Sequence, residues 1–404
     1  MASPGATRRE TGSGVGSTLA WFVSPHGFGH AARAAALMAA CSDIRPDLRH
    51  HLFTTVPQWF FEDSLPGLDL AHHRLVCDVG MVQADALSED VEATVRALAA
   101  WLEAAEGTVD RLASDLLDLG CRAVVADIAP LGLAVARAAG LPGILVENFT
   151  WDWIYRGYGH PGLERWGERL GEWFASASLR IQVEPVCRPL SGAVRVAPVS
   201  RPCRDSRGAT RRRLGLRDEE RMVLVGQGAG SLDRDRLAGL ELGHDVVRFV
   251  VPDPAVTEPT VDGGVLRTPR SGGPRHPDLV AASDVVIAKL GYSTVAEAFH
   301  AGAALAYLRR PRFPESPVLE AFVREHLPCE PLPAAWLDDP ASGRILDRVA
   351  RSPRPPRPGR HGAAEAARHI LAFLHLQSRG PVPPRDRPSG LNREPTMEPR
   401  RPAA

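Results

Sequence analysis

The chain has 404 residues, 44% of them hydrophobic and 24% charged, with a formal net charge of zero. That length can bury two cores of ordinary size, and the balanced charge offers no general attraction to nucleic acid or an anionic membrane. No run approaches the ~18 apolar residues of a membrane span, and the N-terminus MASPGATRRETGSG lacks the apolar stretch of a signal peptide. The six cysteines (41, 77, 121, 187, 203, 329) form no CxxC, so the expectation is a cytoplasmic protein in a reducing compartment, with neither a zinc site nor a disulfide framework.

Residues 1–17 are rich in Gly, Ser, Thr and Arg and are expected to be a disordered tail. The first β-rich run, Leu19–Ser24, leads into Ser24-Pro25-His26-Gly27-Phe28-Gly29-His30 and then a helical pattern at 31–40. Gly27 and Gly29 permit a tight turn. His30 falls in the first turn of the helix, where the dipole favours a neutral imidazole able to accept a proton. Helix capping by the two histidines fits the same residues. A second run, His51–Thr55, is followed by the loop Asp78-Val-Gly80-Met-Val-Gln83-Ala-Asp85, whose two carboxylates and amide precede a long helical pattern at 89–118.

The run Arg122–Ala126 ends at Asp127, placed to orient His30 if the two strands are neighbours in a parallel sheet. A plain N-cap for the helix at 130–139 is the other use of that aspartate. After the run Gly143–Glu147 comes Asn148-Phe149-Thr150-Trp151-Asp152-Trp153, where aromatic rings sit beside polar groups, as suits a sugar or base face or a polar corner of the core.

A connector is expected at 186–206. Beyond it, Met222–Val225 runs into Gly226-Gln227-Gly228, a phosphate-compatible turn, and Val246–Val251 is the next strand. Asp284–Ala288 then leads to Lys289-Leu-Gly291-Tyr-Ser293-Thr294-Val-Ala-Glu297, with a helix expected over 294–302. Lys289 is the only lysine among 48 Lys and Arg residues. A compact ammonium beside a helix N-terminus with two hydroxyls reads as an anion site, a leftover surface lysine being the other reading, and Glu297, one turn on, suits ribose hydroxyls. After the strand Ala304–Leu308, Glu315 is placed to reach a polyol, and the arginines of Arg309-Arg310-Pro311-Arg312 read as solvated surface. A last helical pattern falls at 341–350, and the Pro/Arg-rich residues 379–404 are expected to be a second disordered tail.

Strands alternating with helices predict an α/β fold of two Rossmann-like doubly wound domains, 18–185 and 207–378, facing each other across a cleft. The stretches HGFGHAAR (26–33), DVGMVQADAL (78–87), VADIAPLG (125–132), ENFTWDWIY (147–155) and PDLVAASDVVIAKLGYSTVAEA (277–298), with the RR…F.E.P pattern at 309–317, resemble the N-terminal glycosyltransferase-like domain of plant L-arabinokinases and its bacterial relatives. No counterpart of the kinase domain of those plant proteins is expected in these residues, so kinase activity is not carried over. More distantly, the layout is similar to GT-B enzymes such as the lipid I N-acetylglucosaminyltransferase, although Pro25 replaces a usual glycine and Pro311-Arg312 an Asp-Tyr pair.

That resemblance implies an N-terminal acceptor domain and a C-terminal nucleotide-sugar donor domain. The function expected first is a metal-independent inverting glycosyltransferase, with a nucleotide sugar (UDP first) and a small hydroxyl acceptor as its partners, and with no nucleic acid. His30 and Asp127 would be catalytic. Lys289, Gly291, Ser293, Thr294, Glu297, Gln227 and Gly228 would hold the donor, and Glu315 its sugar. His26, Gly29, Asp78, Gln83, Asp85, Asn148, Trp151 and Asp152 would line the acceptor side. A catalytically silent nucleotide-sugar-binding module is one alternative. An epimerase is another, with Asp78, Asp85 and Asp152 as its extra carboxylates. The oligomeric state is not readable from the sequence.

Overall fold

A computed structural model describes residues 18–379 except 86, 227–236 and 238–245. The two expected tails thus lie outside the described residues, save Arg379, which closes a helix.

Two seven-stranded sheets carry the molecule. The first contains β1 (Thr18–Val23), β2 (Arg49–Thr54), β3 (Leu70–Arg74), β4 (Cys121–Asp127), β5 (Gly143–Glu147), β6 (Leu179–Val183) and β7 (Val194–Val196), ordered 3-2-1-4-5-6-7 and parallel throughout. The second contains β8 (Arg221–Val225), β9 (Val247–Asp253), β10 (Thr260–Asp262), β11 (Val265–Pro269), β12 (Val285–Lys289), β13 (Ala304–Leu308) and β14 (Cys329–Pro331), ordered 10-11-9-8-12-13-14. Among the described residues, only the short β10 runs antiparallel to its neighbour. Runs such as Leu19-Ala-Trp-Phe-Val23 are buried on both faces, which is why they read as continuous apolar stretches rather than alternating ones. Trp21 is fully buried because its indole N–H donates to Nδ1 of His50 at 2.9 Å.

Strand order reverses between β1 and β4 in the first sheet and between β8 and β12 in the second, so each sheet has a topological switch point where ligands are ordinarily bound. The sequence motifs sit at the carboxyl ends of these strands. Among the described residues, no helix is long and apolar enough to cross a membrane.

Three differences from expectation concern helices and the boundary between the two domains. The pattern at 89–118 is two helices, Val91–Glu106 and Val109–Asp118, because Gly107 and Thr108 end the first and the Thr108 hydroxyl donates to the Ala105 carbonyl at 2.8 Å. β7 lies inside the stretch expected as linker and extends the first sheet. The helix Gly362–Arg379, expected with the second domain, instead packs on the first. Its Ala363, Ala366, Ala367 and Ile370 join Leu37, Met38 and Val196 in one buried cluster.

Candidate functional site

The cleft between the sheets encloses a cavity of about 620 Å³, within the range of small-molecule sites. Two helix N-termini meet at it. Gly27, with φ of 76°, turns the chain from β1 into the helix Phe28–Ile44, and Gly291 caps the helix Tyr292–Ala301. Neither cap residue supplies a side-chain hydrogen bond. A Cβ on Gly29 would stand 3.4 Å from the Ser293 hydroxyl, so a larger residue there would press on the facing domain.

On the first wall, the imidazole of His30 bonds through Nδ1 to Oδ1 of Asp127 at 2.8 Å. Asp127 ends β4, next to β1, so the parallel register brings the two together. It is followed by Ile128 at φ of 43°, a left-handed conformation rare for a β-branched residue and typical of backbone strained at a site. Both Asp127 oxygens are also held by Arg33, Nε to Oδ2 at 2.7 Å and Nη2 to Oδ1 at 2.6 Å. Burial alone would raise the Asp127 pKa, but Arg33 and His30 outweigh it and hold the carboxyl below the usual range. Burial lowers His30, and the attraction of Asp127 only partly offsets it, so the ring is neutral at pH 7. With Nδ1–H donated to Asp127, Nε2 is left as the proton acceptor.

The network continues across the cleft. Arg33 Nη1 donates to Asn148 Oδ1 at 2.8 Å, and Asn148 Nδ2 donates to Oε1 of Glu315, on the second domain, at 2.7 Å. Burial pushes Glu315 up to about 7. A carboxyl whose folded pKa exceeds its unfolded value stabilises fully below the unfolded pKa and loses that contribution as pH rises through about 7. Glu315→Gln keeps the acceptor oxygen and cannot ionise. Its unfolding free energy should therefore gain on wild type between pH 5 and pH 8.5, by up to about 3 kcal/mol at the alkaline end, as urea denaturation at the two pH values would measure. A difference between variant and wild type that stays flat with pH would mean that this carboxyl ionises normally in the fold.

On the second wall, half-buried Lys289 ends β12 beside Gly291, Ser293 and Thr294 at the helix N-terminus. Burial and then Arg310 lower its pKa, against an opposing pull from Glu89. Glu297, one turn on, also lines the cavity and accepts from His276 Nδ1 at 2.5 Å, with Arg201 at 3.5 Å. Burial would raise its pKa, but His276 and Arg201 outweigh it. Its Oε1 takes no hydrogen bond among the described residues.

The other candidates divide. His26 and Gln83 line the cavity. His26 packs edge-on against Trp151 at 5.2 Å, and its pKa is driven down to about 3, by burial first and then by His30, Arg310 and Lys289. Gly80, at φ of 65°, leaves room for that ring, since a Cβ would come within 2.6 Å of it. Trp151 and Asp78 form the layer behind. Asp78 accepts from Ser24 at 3.1 Å and from Trp151 Nε1 at 3.0 Å, and burial raises it to about 7. Asp85 is exposed and caps its own turn through the Leu87 and Ser88 amides at 2.8 and 2.9 Å. Asp152 lies 4.0 Å from Arg188, off the cavity wall. None of the three carboxylates weighed for an epimerase therefore lines the cavity. Gln227 and Gly228 lie outside the described residues.

The sequence reading missed Arg33, Arg201, His276 and Arg310. Arg33 had a signal: a lone arginine inside the apolar helix run Ala31–Met38 must be buried with a partner. An aromatic group on the first wall was also missed, in which Phe28 stacks on Phe60 at 5.0 Å beside Trp59. Among the described residues, no group of three or more His, Cys, Asp or Glu side chains is placed to hold a metal ion.

Two facing, doubly wound sheets with a ligand-sized cleft at their switch points define the GT-B glycosyltransferase fold. Solved structures share it. UGT89C1 of Arabidopsis thaliana matches with a TM-score of 0.59 at 16% identity, over 88% of this chain and 99% of that one. The glycosyltransferase SnogD from Streptomyces nogalater matches with a TM-score of 0.53 at 17% identity, over 89% and 99%. UGT89C1 has been crystallised with UDP and with quercetin. In sequence the chain is similar to L-arabinokinase of Arabidopsis thaliana, 28% identical over 324 residues, and the match covers 74% of this chain. It spans only 29% of that relative's length. No protein-family model matches the chain.

Proposed function

We propose that this protein is an inverting glycosyltransferase that moves a sugar from a nucleotide sugar, UDP-linked in the first instance, to a small hydroxyl acceptor. One observation carries the reading: a neutral His30 oriented by Asp127 lies on one wall of a cavity whose other wall presents Lys289 and a helix N-terminus. His30 Nε2 takes the acceptor proton, and the acceptor oxygen bonds to the sugar's anomeric carbon from the face opposite the diphosphate. The bond from that carbon to the diphosphate breaks, and UDP departs. Asp127 stabilises the imidazolium, while Lys289 and the amides of the helix N-terminus take up the growing diphosphate charge, without a metal. Glu297 Oε1 is available to a ribose hydroxyl, and Glu315 to the sugar. The expected result is release of UDP from a UDP-sugar only when an acceptor is added, unaffected by chelators. Cleavage or epimerisation without acceptor would overturn the proposal.

A second reading, a silent nucleotide-sugar-binding module, is favoured by the tight pairing of Asp127 with Arg33 and of Glu297 with His276 and Arg201. Saturable UDP binding without turnover across a panel of acceptors would select it.

A further inference from the structure

The proposed chemistry leaves Arg310 unused. This residue follows β13, lines the cavity with Lys289 and His26, and is only 6% exposed. One guanidinium nitrogen pairs with Glu89, a buried carboxylate of the first domain. The guanidinium lies 3.9 Å over the ring of Phe313, while its buried Nε finds no acceptor among the described residues. Glu89 belongs to a loop that reaches across the cleft: Leu87 packs on the core of the second domain, and Glu89 bridges back to Gln83. A buried guanidinium with five donors is ill satisfied by one carboxylate and a ring face. Lys289 lies close enough for Arg310 to depress its pKa, so two like charges share one wall of the cavity.

We propose that Arg310 and Lys289 form a two-cation anion subsite, which Glu89 fills as an exchangeable surrogate until an anionic oxygen of the ligand takes the guanidinium. The anion's identity rests on the nucleotide-sugar reading: it is either the donor diphosphate or a carboxylate on the transferred sugar. Both present the planar or tetrahedral oxygen pairs that arginine binds through two N–H groups. Glu89 is then a competitor built into the domain opposite.

Calorimetric titration of the full chain with pyrophosphate, UDP-glucose and UDP-glucuronate tests this in wild type, Arg310→Gln, Glu89→Gln and the double variant. Arg310→Gln is expected to weaken binding at least about tenfold, and Glu89→Gln to tighten it several-fold by removing the competitor. The double variant, which leaves no lone buried charge, should bind like Arg310→Gln while keeping its melting temperature. A loss shared by all three probes assigns the subsite to the diphosphate, and a loss confined to UDP-glucuronate assigns it to the sugar carboxylate. Unchanged affinity in Arg310→Gln, or no gain in Glu89→Gln, overturns the proposal and leaves the pair a structural clasp. So does wild type that binds none of the probes. Arg310-dependent pyrophosphate binding with no nucleotide binding would instead keep the subsite and remove the nucleotide-sugar reading.

Discussion

His30→Ala is expected to lower transfer by about 10²–10⁴-fold while leaving UDP affinity within twofold or so of wild type. The imidazole lies on the first wall, bonded to Asp127, whereas Lys289 and the opposing helix N-terminus belong to the second domain. A base that acts on the acceptor can therefore be removed without touching the donor phosphates. The neutral ring also sets the pH dependence. Because burial holds His30 below its ordinary value, the acid limb of the rate profile should fall below the usual histidine range rather than near 6.5. Measuring kcat against pH in wild type, together with UDP affinity in the variant, checks both points. If UDP affinity collapses along with turnover, His30 is a donor ligand and the assignment of roles to the two walls fails.

Asp127→Ala should be among the most damaging single changes to stability, at about 3–5 kcal/mol, because it strands Arg33 as an uncompensated buried charge. Arg33 is 1% exposed and spends two of its hydrogen bonds on Asp127. Replacing both partners with apolar residues of similar volume, as in Arg33→Met with Asp127→Leu, should recover most of the loss, since the desolvation cost of both charges disappears. Urea denaturation of the two variants gives the comparison. A loss below about 1 kcal/mol in Asp127→Ala would show that Arg33 reaches water, and that the relay from His30 to Glu315 is looser than its distances indicate. The double variant also separates stability from chemistry, for a fold restored without activity leaves Asp127 a role in orienting His30.

The alternation of strands and helices, with glycine-rich turns at strand ends, was enough to read two doubly wound domains from the sequence. Local pattern does not state strand order, yet it is the adjacency of β1 and β4 that turns His30 and Asp127 into a bonded pair. The lysine and the helix after it were legible because residue type and local structure coincide there. Arg310 was not, since Arg309-Arg310-Pro311-Arg312 looks solvated until the Glu89 loop is brought over from the other domain. Glu297 shows the same limit. Its place on the helix was readable, but its pairing with His276 and Arg201 depends on residues far along the chain. The short edge strands β7, β10 and β14 carry three residues each, too few for a periodic signal.

The helix Gly362–Arg379 has a consequence for the order in which the chain can mature. The first domain's buried cluster needs Ala363, Ala366, Ala367 and Ile370, yet its sheet is complete at Val196. During synthesis at about 5–20 residues per second, roughly ten to thirty seconds pass between the emergence of those two parts. Over that interval the apolar face built on Leu37 and Met38 lacks its cover while the whole second domain is being made. That face is closed only when residues 362–370 have been made and can dock on it.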